Sequence, residues 1–134
     1  MATDQTQDPD LDRSLEFLRS IDPGGPMRVQ AMGHLDSELT NELVKLLYGD
    51  LYQRPHLDVR VRSMLMVGIA AGSGLLPQVR YQLRFALQAG VTPEQLREVL
   101  RHVAVMSGWG AASNAAMLLG QVIEELALES ERGT

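Results

Sequence analysis

The sequence contains no cysteine in 134 residues, which removes disulfides, thiolate metal ligands and thiol redox chemistry together. Only three histidines are present, and His34 and His56 have no partner at the spacing of metal ligands. No H-E-x-x-H pattern occurs, and the glycine-rich segments lack the lysine of a phosphate loop. The sequence therefore predicts neither a metal site nor a bound cofactor.

Positive charge is scarce as well. The chain has 12 Lys+Arg against 17 Asp+Glu, a formal net charge of −5 with a sequence pI near 5.1. Proteins that bind the phosphate backbone usually carry a basic face, so we expect no nucleic-acid partner. Lys45 is the only lysine, and this preference for arginine is typical of a GC-rich, bacterial genome.

Long apolar runs are also missing. The longest strongly apolar run, residues 64–71, is much shorter than the roughly 18 residues that span a bilayer, so we expect no membrane partner. Residues 1–10 are polar and acidic and contain no basic segment followed by an apolar one, so they do not resemble a secretory signal. Together these features predict a cytoplasmic protein.

The apolar content is that of a folded core. With 45% hydrophobic residues in a chain of this length, the sequence predicts a single domain. No segment alternates apolar and polar residues at strand spacing, so the predicted fold is all-α, with about six helices. Residues 1–9 are expected to be flexible and 129–134 to form a frayed tail. The predicted helices span residues 10–21, 37–51, 58–71, 77–89, 93–107 and 111–128.

Two of these helices carry marked apolar patterns. The second has a leucine stripe that we expect to be buried, formed by Leu39, Leu43, Leu46 and Leu47. The third is apolar almost all round after Ser63, which predicts a central helix covered by its neighbours. At the start of the fifth predicted helix, Thr92-Pro93-Glu94-Gln95 has the form of a capping box.

Glu98 and His102 are the candidate catalytic residues of the fifth helix. On a helical wheel that begins at Glu94, Glu98 lies at about 40° and His102 at about 80°, beside the apolar stripe. Their i,i+4 spacing allows the carboxylate to accept a ring N–H and orient the imidazole as a general acid or base. The alternative is an exposed pair flanked by arginines, which contributes little.

Gln82 is the second anomaly, because it borders the apolar arc of the fourth helix. A buried amide needs hydrogen-bond partners, which either the protein or a ligand supplies. Both alternatives remain open from the sequence.

Four segments resemble the carboxymuconolactone decarboxylase family, over residues 47–125. They are YGDLYQRPHLD at 48–58, RVRS at 60–63, AGVTPEQLREVLRH at 89–102 and GWGAASNA at 108–115. The resemblance implies a small all-helical domain of the alkylhydroperoxidase-D-like type. It also implies that Glu98 and His102 belong to a pocket, and that the protein forms rings, either trimers or hexamers.

The departures from the family pattern are informative. Redox members of the superfamily have C-x-x-C and a following histidine where this chain has Leu75, Gln78 and Gln82, so thiol peroxidase chemistry is excluded. In the decarboxylase branch, a histidine corresponds to Gln82 and a tyrosine to Met106. Gln82 can form hydrogen bonds but cannot carry a proton near neutral pH.

The resemblance implies a cofactor-free lyase that acts on a small unsaturated carboxylated lactone or a related carbonyl compound. His102 is the candidate proton donor, and Arg54 and Arg62 are candidate anchors for the substrate carboxylate. Gln82 and Trp109 are further candidates for substrate contacts. The alternatives are a divergent tailoring enzyme of secondary metabolism that uses the same pocket, and a non-catalytic binding or assembly protein of the same fold.

Overall fold

The computed structural model describes residues 8–32 and 36–133. Within them the fold is all-α, as the sequence predicts, with seven α-helices, a π-helix and a short 3-10 helix, and no strand. His34 and residues 1–7 lie outside the described residues. The α-helices are α1 (Pro9–Ile21), α2 (Gly25–Met32), α3 (Ser37–Val44), α4 (Val59–Gly72), α5 (Leu76–Gln88), α6 (Pro93–Ser107) and α7 (Trp109–Arg132).

The helices form two compact units, divided between Val59 and Arg60. In the first unit α1 packs against α2, α3 and the π-helix Lys45–Asp50. Leu18, Val44 and Tyr52 are buried there, and the ring of Tyr52 stacks on that of Tyr48 with centroids 5.9 Å apart. Burial raises the pKa of the Tyr48 phenol to about 12, so that ring stays neutral at ordinary pH.

The π-helix brings a glycine against α1. A Cβ atom on Gly49 would lie 2.3 Å from the hydroxyl oxygen of Ser14, which is fully buried. That hydroxyl donates a hydrogen bond of 2.6 Å to the carbonyl oxygen of Asp10. Gly49 is thus required by the close approach of the Ser14 side chain, and not by an unusual φ.

Helix α2 is absent from the sequence prediction. Asp22-Pro23-Gly24-Gly25-Pro26 does end α1 at Ile21, but α2 begins within the same segment, at Gly25. Proline in the first turn of a helix lacks only a donor that would be unpaired there. Pro26 therefore starts a helix in the segment that stops the preceding one.

The second unit has one hydrophobic core, to which all four of its helices contribute. Helix α7 packs against both α5 and α6. The capping box predicted at the start of α6 is confirmed. The backbone N–H of Gln95 donates to Thr92 Oγ1 at 3.1 Å, and the backbone N–H of Thr92 donates to Gln95 Oε1 at 3.0 Å. The buried apolar residues of this core are Val67, Ala70, Ala71, Val79, Leu83, Ala86, Val91, Leu96, Leu100, Val103, Ala112, Ala115, Leu119 and Val122.

Helix α7 begins and ends outside its predicted bounds. It starts directly after Gly108, whose φ of 101° stops α6, and it continues to Arg132 instead of Leu128. Two arginines of α5 hold its last turns. Arg80 pairs with Glu125, and the nearly buried Arg84 pairs through both terminal guanidinium nitrogens, Nη1 and Nη2, with the carboxylate of Glu129.

The predicted burial of the leucine stripe was wrong. Leu39, Leu43 and Leu46 are 50%, 53% and 60% exposed, and only Leu47 is half-buried. Helix α4 is also covered on one side only, because Val67 is fully buried while Ile69 is 64% exposed. The periodicity is helical as predicted, but no described surface of the chain covers these side chains.

Within residues 8–32 and 36–133, none of the helices combines the length and the hydropathy that a bilayer span requires.

Candidate active site

Helices α4 and α6 lie side by side and run in the same direction. Near their N-terminal ends, Arg60 Nη2 donates to Gln95 Oε1 at 3.0 Å. Near their C-terminal ends, a Cβ atom on Gly72 would lie 2.8 Å from Ser107 Oγ. These two observations place the corresponding ends of the helices close together.

A cavity of about 410 Å³ lies between these two helices. Each helix contributes five residues at the spacing i, i+3, i+4, i+7 and i+8, which is one face of an α-helix. The volume is in the range of small-molecule pockets. The lining residues are Val61, Met64, Leu65, Gly68 and Ile69 on α4, and Val99, His102, Val103, Met106 and Ser107 on α6.

The lining is almost entirely apolar. Among these ten described residues only His102 and Ser107 have polar side chains, and of the two only the imidazole can serve as a general acid or base. A ligand in this cavity therefore meets hydrocarbon walls and a single proton-transfer group.

The imidazole of His102 is oriented by the backbone. Its Nδ1 lies 2.8 Å from the carbonyl oxygen of Glu98. A carbonyl oxygen can only accept a hydrogen bond, so Nδ1 carries the proton and Nε2 is the ring nitrogen left for chemistry. The helical wheel placed His102 beside the apolar stripe, and the structure places it in the cavity lining.

The expected hydrogen bond between the Glu98 carboxylate and the His102 ring does not form. The Glu98 side chain is exposed and pairs with Arg101, three residues further along the same helix. The guanidinium competes for the carboxylate, and the imidazole turns to the i−4 carbonyl instead. Glu98 thus positions His102 through its main chain.

The two arginines proposed as anchors do not line this cavity. Arg54 belongs to the first unit, where its Nε donates to the Asp50 carboxylate at 3.2 Å. Arg62 is only 9% exposed and is engaged in polar interactions within the chain. Gln82 is half-buried on α5 and is likewise engaged within the chain.

Trp109 lies at a different place. It is the first residue of α7, is 81% exposed, and lines a smaller cavity of about 280 Å³ between α6 and α7. The arginines Arg97 and Arg101 line the same cavity, where each is paired with a glutamate of α6. The structure therefore separates Trp109 from the cavity that contains His102.

Sequence reasoning missed the α4 side of the cavity. Helix α4 is so uniformly apolar that a helical wheel does not distinguish a buried face from an exposed one. On α6, by contrast, charged residues on one side define the apolar face on the other. A helical glycine, Gly68, within that apolar run was the available signal.

Comparison with known proteins agrees with this architecture. The family model of the carboxymuconolactone decarboxylase family matches residues 37–121, and the chain belongs to this family. The chain is 22% identical to 4-carboxymuconolactone decarboxylase of Acinetobacter baylyi over 104 residues, which cover 78% of each protein.

Two further relatives cover more of the chain. Nitrosuccinic acid decarboxylase of Metarhizium robertsii is 28% identical over 143 residues, covering 98% of this chain and 96% of the fungal protein. A 15.0 kDa protein of Paracoccus denitrificans is 26% identical over 118 residues, covering 86% of this chain and 88% of its own length.

Proposed function

We propose that the chain is a cofactor-free decarboxylase, a carbon–carbon lyase in which His102 protonates the carbon that loses carbon dioxide. The proposed substrate is a small acid whose carboxylate adjoins an unsaturated lactone or a related carbonyl system. The observation that carries the proposal is the single oriented imidazole in an otherwise apolar cavity. Its family, and the names of two relatives as decarboxylases, support the same reaction class.

The apolar walls favour the cleavage step. Decarboxylation converts a carboxylate, with its charge on two oxygens, into neutral carbon dioxide and a carbanion delocalised over the unsaturated system. Removing the carboxylate from water raises the energy of the ground state more than that of the delocalised transition state. Val61, Val99 and Val103 supply such walls around His102.

One side chain of the protein, the imidazole of His102, is enough to balance the protons of the reaction. As the bond to the carboxylate carbon breaks, its electron pair enters the conjugated system, which acts as the electron sink and makes an added cofactor unnecessary. The imidazolium form of His102 then delivers the Nε2 proton to the carbanion carbon. The neutral ring, still donating from Nδ1 to Glu98, regains a proton from solvent, to which it is exposed.

The deciding experiment measures carbon dioxide release from a panel of unsaturated lactone acids and β-keto acids. His102→Gln should lower kcat by about 10²–10⁴-fold, because it removes the proton donor while keeping a polar side chain. Glu98→Gln should change kcat by less than about threefold, since the orienting group is the carbonyl oxygen and the lost pair with Arg101 is exposed.

Both variants must keep the wild-type circular dichroism and Tm for the comparison to count. Full activity in folded His102→Gln would mean that His102 is a surface residue without a role in catalysis. A large loss in Glu98→Gln would instead show that the carboxylate, and not the carbonyl, orients the ring.

A second candidate function is ligand binding without turnover. Met106, which stands where the family resemblance places a tyrosine, lines the cavity and is 84% exposed. The cavity therefore lacks a second proton-bearing side chain at that position. A rise in Tm with acids of the panel, without carbon dioxide release, would favour this candidate.

A further inference from the structure

Gly68 lies in the interior of α4, within the stripe that lines the His102 cavity. After proline, glycine is the residue least favourable to a helix interior. Its neighbours along the stripe, Met64, Leu65 and Ile69, are all large. A glycine here therefore weakens the helix and leaves the stripe without a side chain at this position.

Steric crowding does not account for this glycine. A Cβ atom on Gly68 would meet one neighbouring atom within 4 Å, Val99 Cγ1 at 3.5 Å, which is ordinary van der Waals contact. Its φ is not in the left-handed region either. By contrast, a Cβ atom on Gly49 or Gly72 would collide with a serine hydroxyl. At Gly68 a side chain fits the protein, but it would extend into the space beside Val99 that the cavity occupies.

The chemistry of the lining limits what can fill that space. One imidazolium can pair with one carboxylate, and Ser107 adds one hydroxyl, but the lining described here contains no arginine or lysine. A second carboxylate would gain no cation from this lining, whereas apolar groups of a ligand would bury surface against it. The lining therefore favours a ligand whose remaining surface is apolar.

We propose that Gly68 determines the specificity of the His102 cavity, by leaving room for the apolar body of an acid that carries a single carboxylate. This inference rests on the proposed function for the identity of the site. It adds the substrate class, a hydrophobic monocarboxylic acid, and the residue that admits it.

The test measures binding instead of turnover. The probe is N-phenylnaphthylamine, an uncharged apolar dye whose fluorescence rises in hydrocarbon surroundings. Gly68→Leu should weaken dye binding at least about tenfold, because even one methylene changes occupancy of an apolar pocket by that factor. Gly68→Ala should weaken it less while raising Tm, since alanine favours the helix.

Gly120 provides the matched control. It is a helical glycine of α7, exposed, with no atom within 4 Å of the added Cβ, so Gly120→Ala and Gly120→Leu make the same changes away from the cavity. Both should leave dye binding unchanged. Equal weakening in Gly68→Leu and Gly120→Leu, or none in either, would overturn the role of Gly68.

Competition tests the substrate class. Phenylbutanoate should displace the dye and tricarballylate, with three carboxylates, should not, and equal displacement by both would overturn the monoacid assignment. A second copy of the chain is the other possible occupant of the cavity, and light scattering on the same samples detects it. A change of mass in Gly68→Leu, with no dye bound by the wild type, would mean that a second copy fills the groove, and the proposal would be wrong.

These outcomes are separable from those of the proposed function. If His102→Gln keeps full activity while Gly68→Leu still blocks the dye, the catalytic proposal fails and the specificity proposal stands. If His102→Gln abolishes carbon dioxide release while the Gly68 variants bind the dye normally, the reverse holds.

Discussion

Asp8 shows how one carboxylate joins two elements of the first unit. Its side chain accepts hydrogen bonds of 3.1 Å from the amides of Asp10 and Leu11 at the start of α1, and one of 2.9 Å from Lys45 Nζ in the π-helix. The bond from Lys45, followed by that from the Leu11 amide, lowers the pKa of Asp8 below its ordinary 3.8. The same contact raises the pKa of Lys45.

We predict an acid-side loss of stability that depends on Asp8. Because the folded-state pKa lies below the unfolded value, this carboxylate stabilises the protein above about pH 4, and the contribution disappears as the pH falls through the lowered pKa. Asp8→Asn should flatten the dependence of Tm on pH between about pH 5 and pH 2. Asp12→Asn removes a carboxylate from the same helix turn, and an equal flattening there would contradict the role of Asp8.

The contact between Gly49 and Ser14 leads to a second prediction at this scale. Gly49→Ala should lower the free energy of unfolding by about 1–3 kcal/mol, because the new Cβ would overlap a buried hydroxyl. Ser14→Ala removes the oxygen and leaves a Cβ that would be 3.5 Å away. The double variant should therefore be more stable than Gly49→Ala alone in urea unfolding, and strictly additive losses would disprove the overlap.

The structural features that depend on contacts within a few residues could be predicted from the sequence. The capping box at Thr92 depends on contacts three residues apart, and the helical position of His102 depends on one helix only. The partner of the Glu98 carboxylate could not be predicted in the same way. Arg101 and His102 both lie within reach of it, and the choice depends on side-chain geometry that the spacing does not specify.

At the scale of elements, burial was harder to predict than helix formation. A leucine stripe shows that α3 has an apolar face, but whether another element covers it depends on tertiary packing. The end of α7 was missed for a related reason. Its last turns are held by Arg80 and Arg84, 45 residues away in sequence from their carboxylates.

We expect the Arg84–Glu129 pair to contribute most to the attachment of the α7 C-terminus. The side chain of Arg84 is 10% exposed and that of Glu129 is 48% exposed, so removal of the carboxylate leaves a guanidinium that water reaches poorly. Glu129→Ala should cost about 1–2 kcal/mol after allowance for the half-exposed partner. Glu125→Ala breaks the more exposed pair with Arg80 and should cost less than about 1 kcal/mol.

Urea unfolding of the two variants checks this order. Hydrogen exchange in the last turns of α7 provides a local measurement, which should accelerate more in Glu129→Ala than in Glu125→Ala. Equal losses would mean that the two pairs act as one surface network, without a special contribution from the buried guanidinium.

At the scale of the whole molecule, large apolar side chains remain exposed in both units. In the first unit they include the leucine stripe of α3 and the π-helix, and in the second unit Val105 and Met117, which are 83% and 66% exposed. On the helical wheel of α6, Val105 falls at about 20°, between Glu94 and Glu98, which agrees with its exposure. An apolar stripe left exposed along one helix, as on α3, is typical of an interface between protein chains.

We propose that a second copy of the chain covers the leucine stripe, and that the protein is a homo-oligomer, in agreement with the rings that the family resemblance implies. Light scattering at micromolar concentration should then give a multiple of 14.8 kDa. Leu43→Glu should shift the mass toward one chain while costing the monomer little, because Leu43 is already 53% exposed. Glu38→Gln, an exposed change on the same helix, should leave the mass unchanged. A wild-type mass of 14.8 kDa would refute the assembly and leave the stripe as the surface of a monomer.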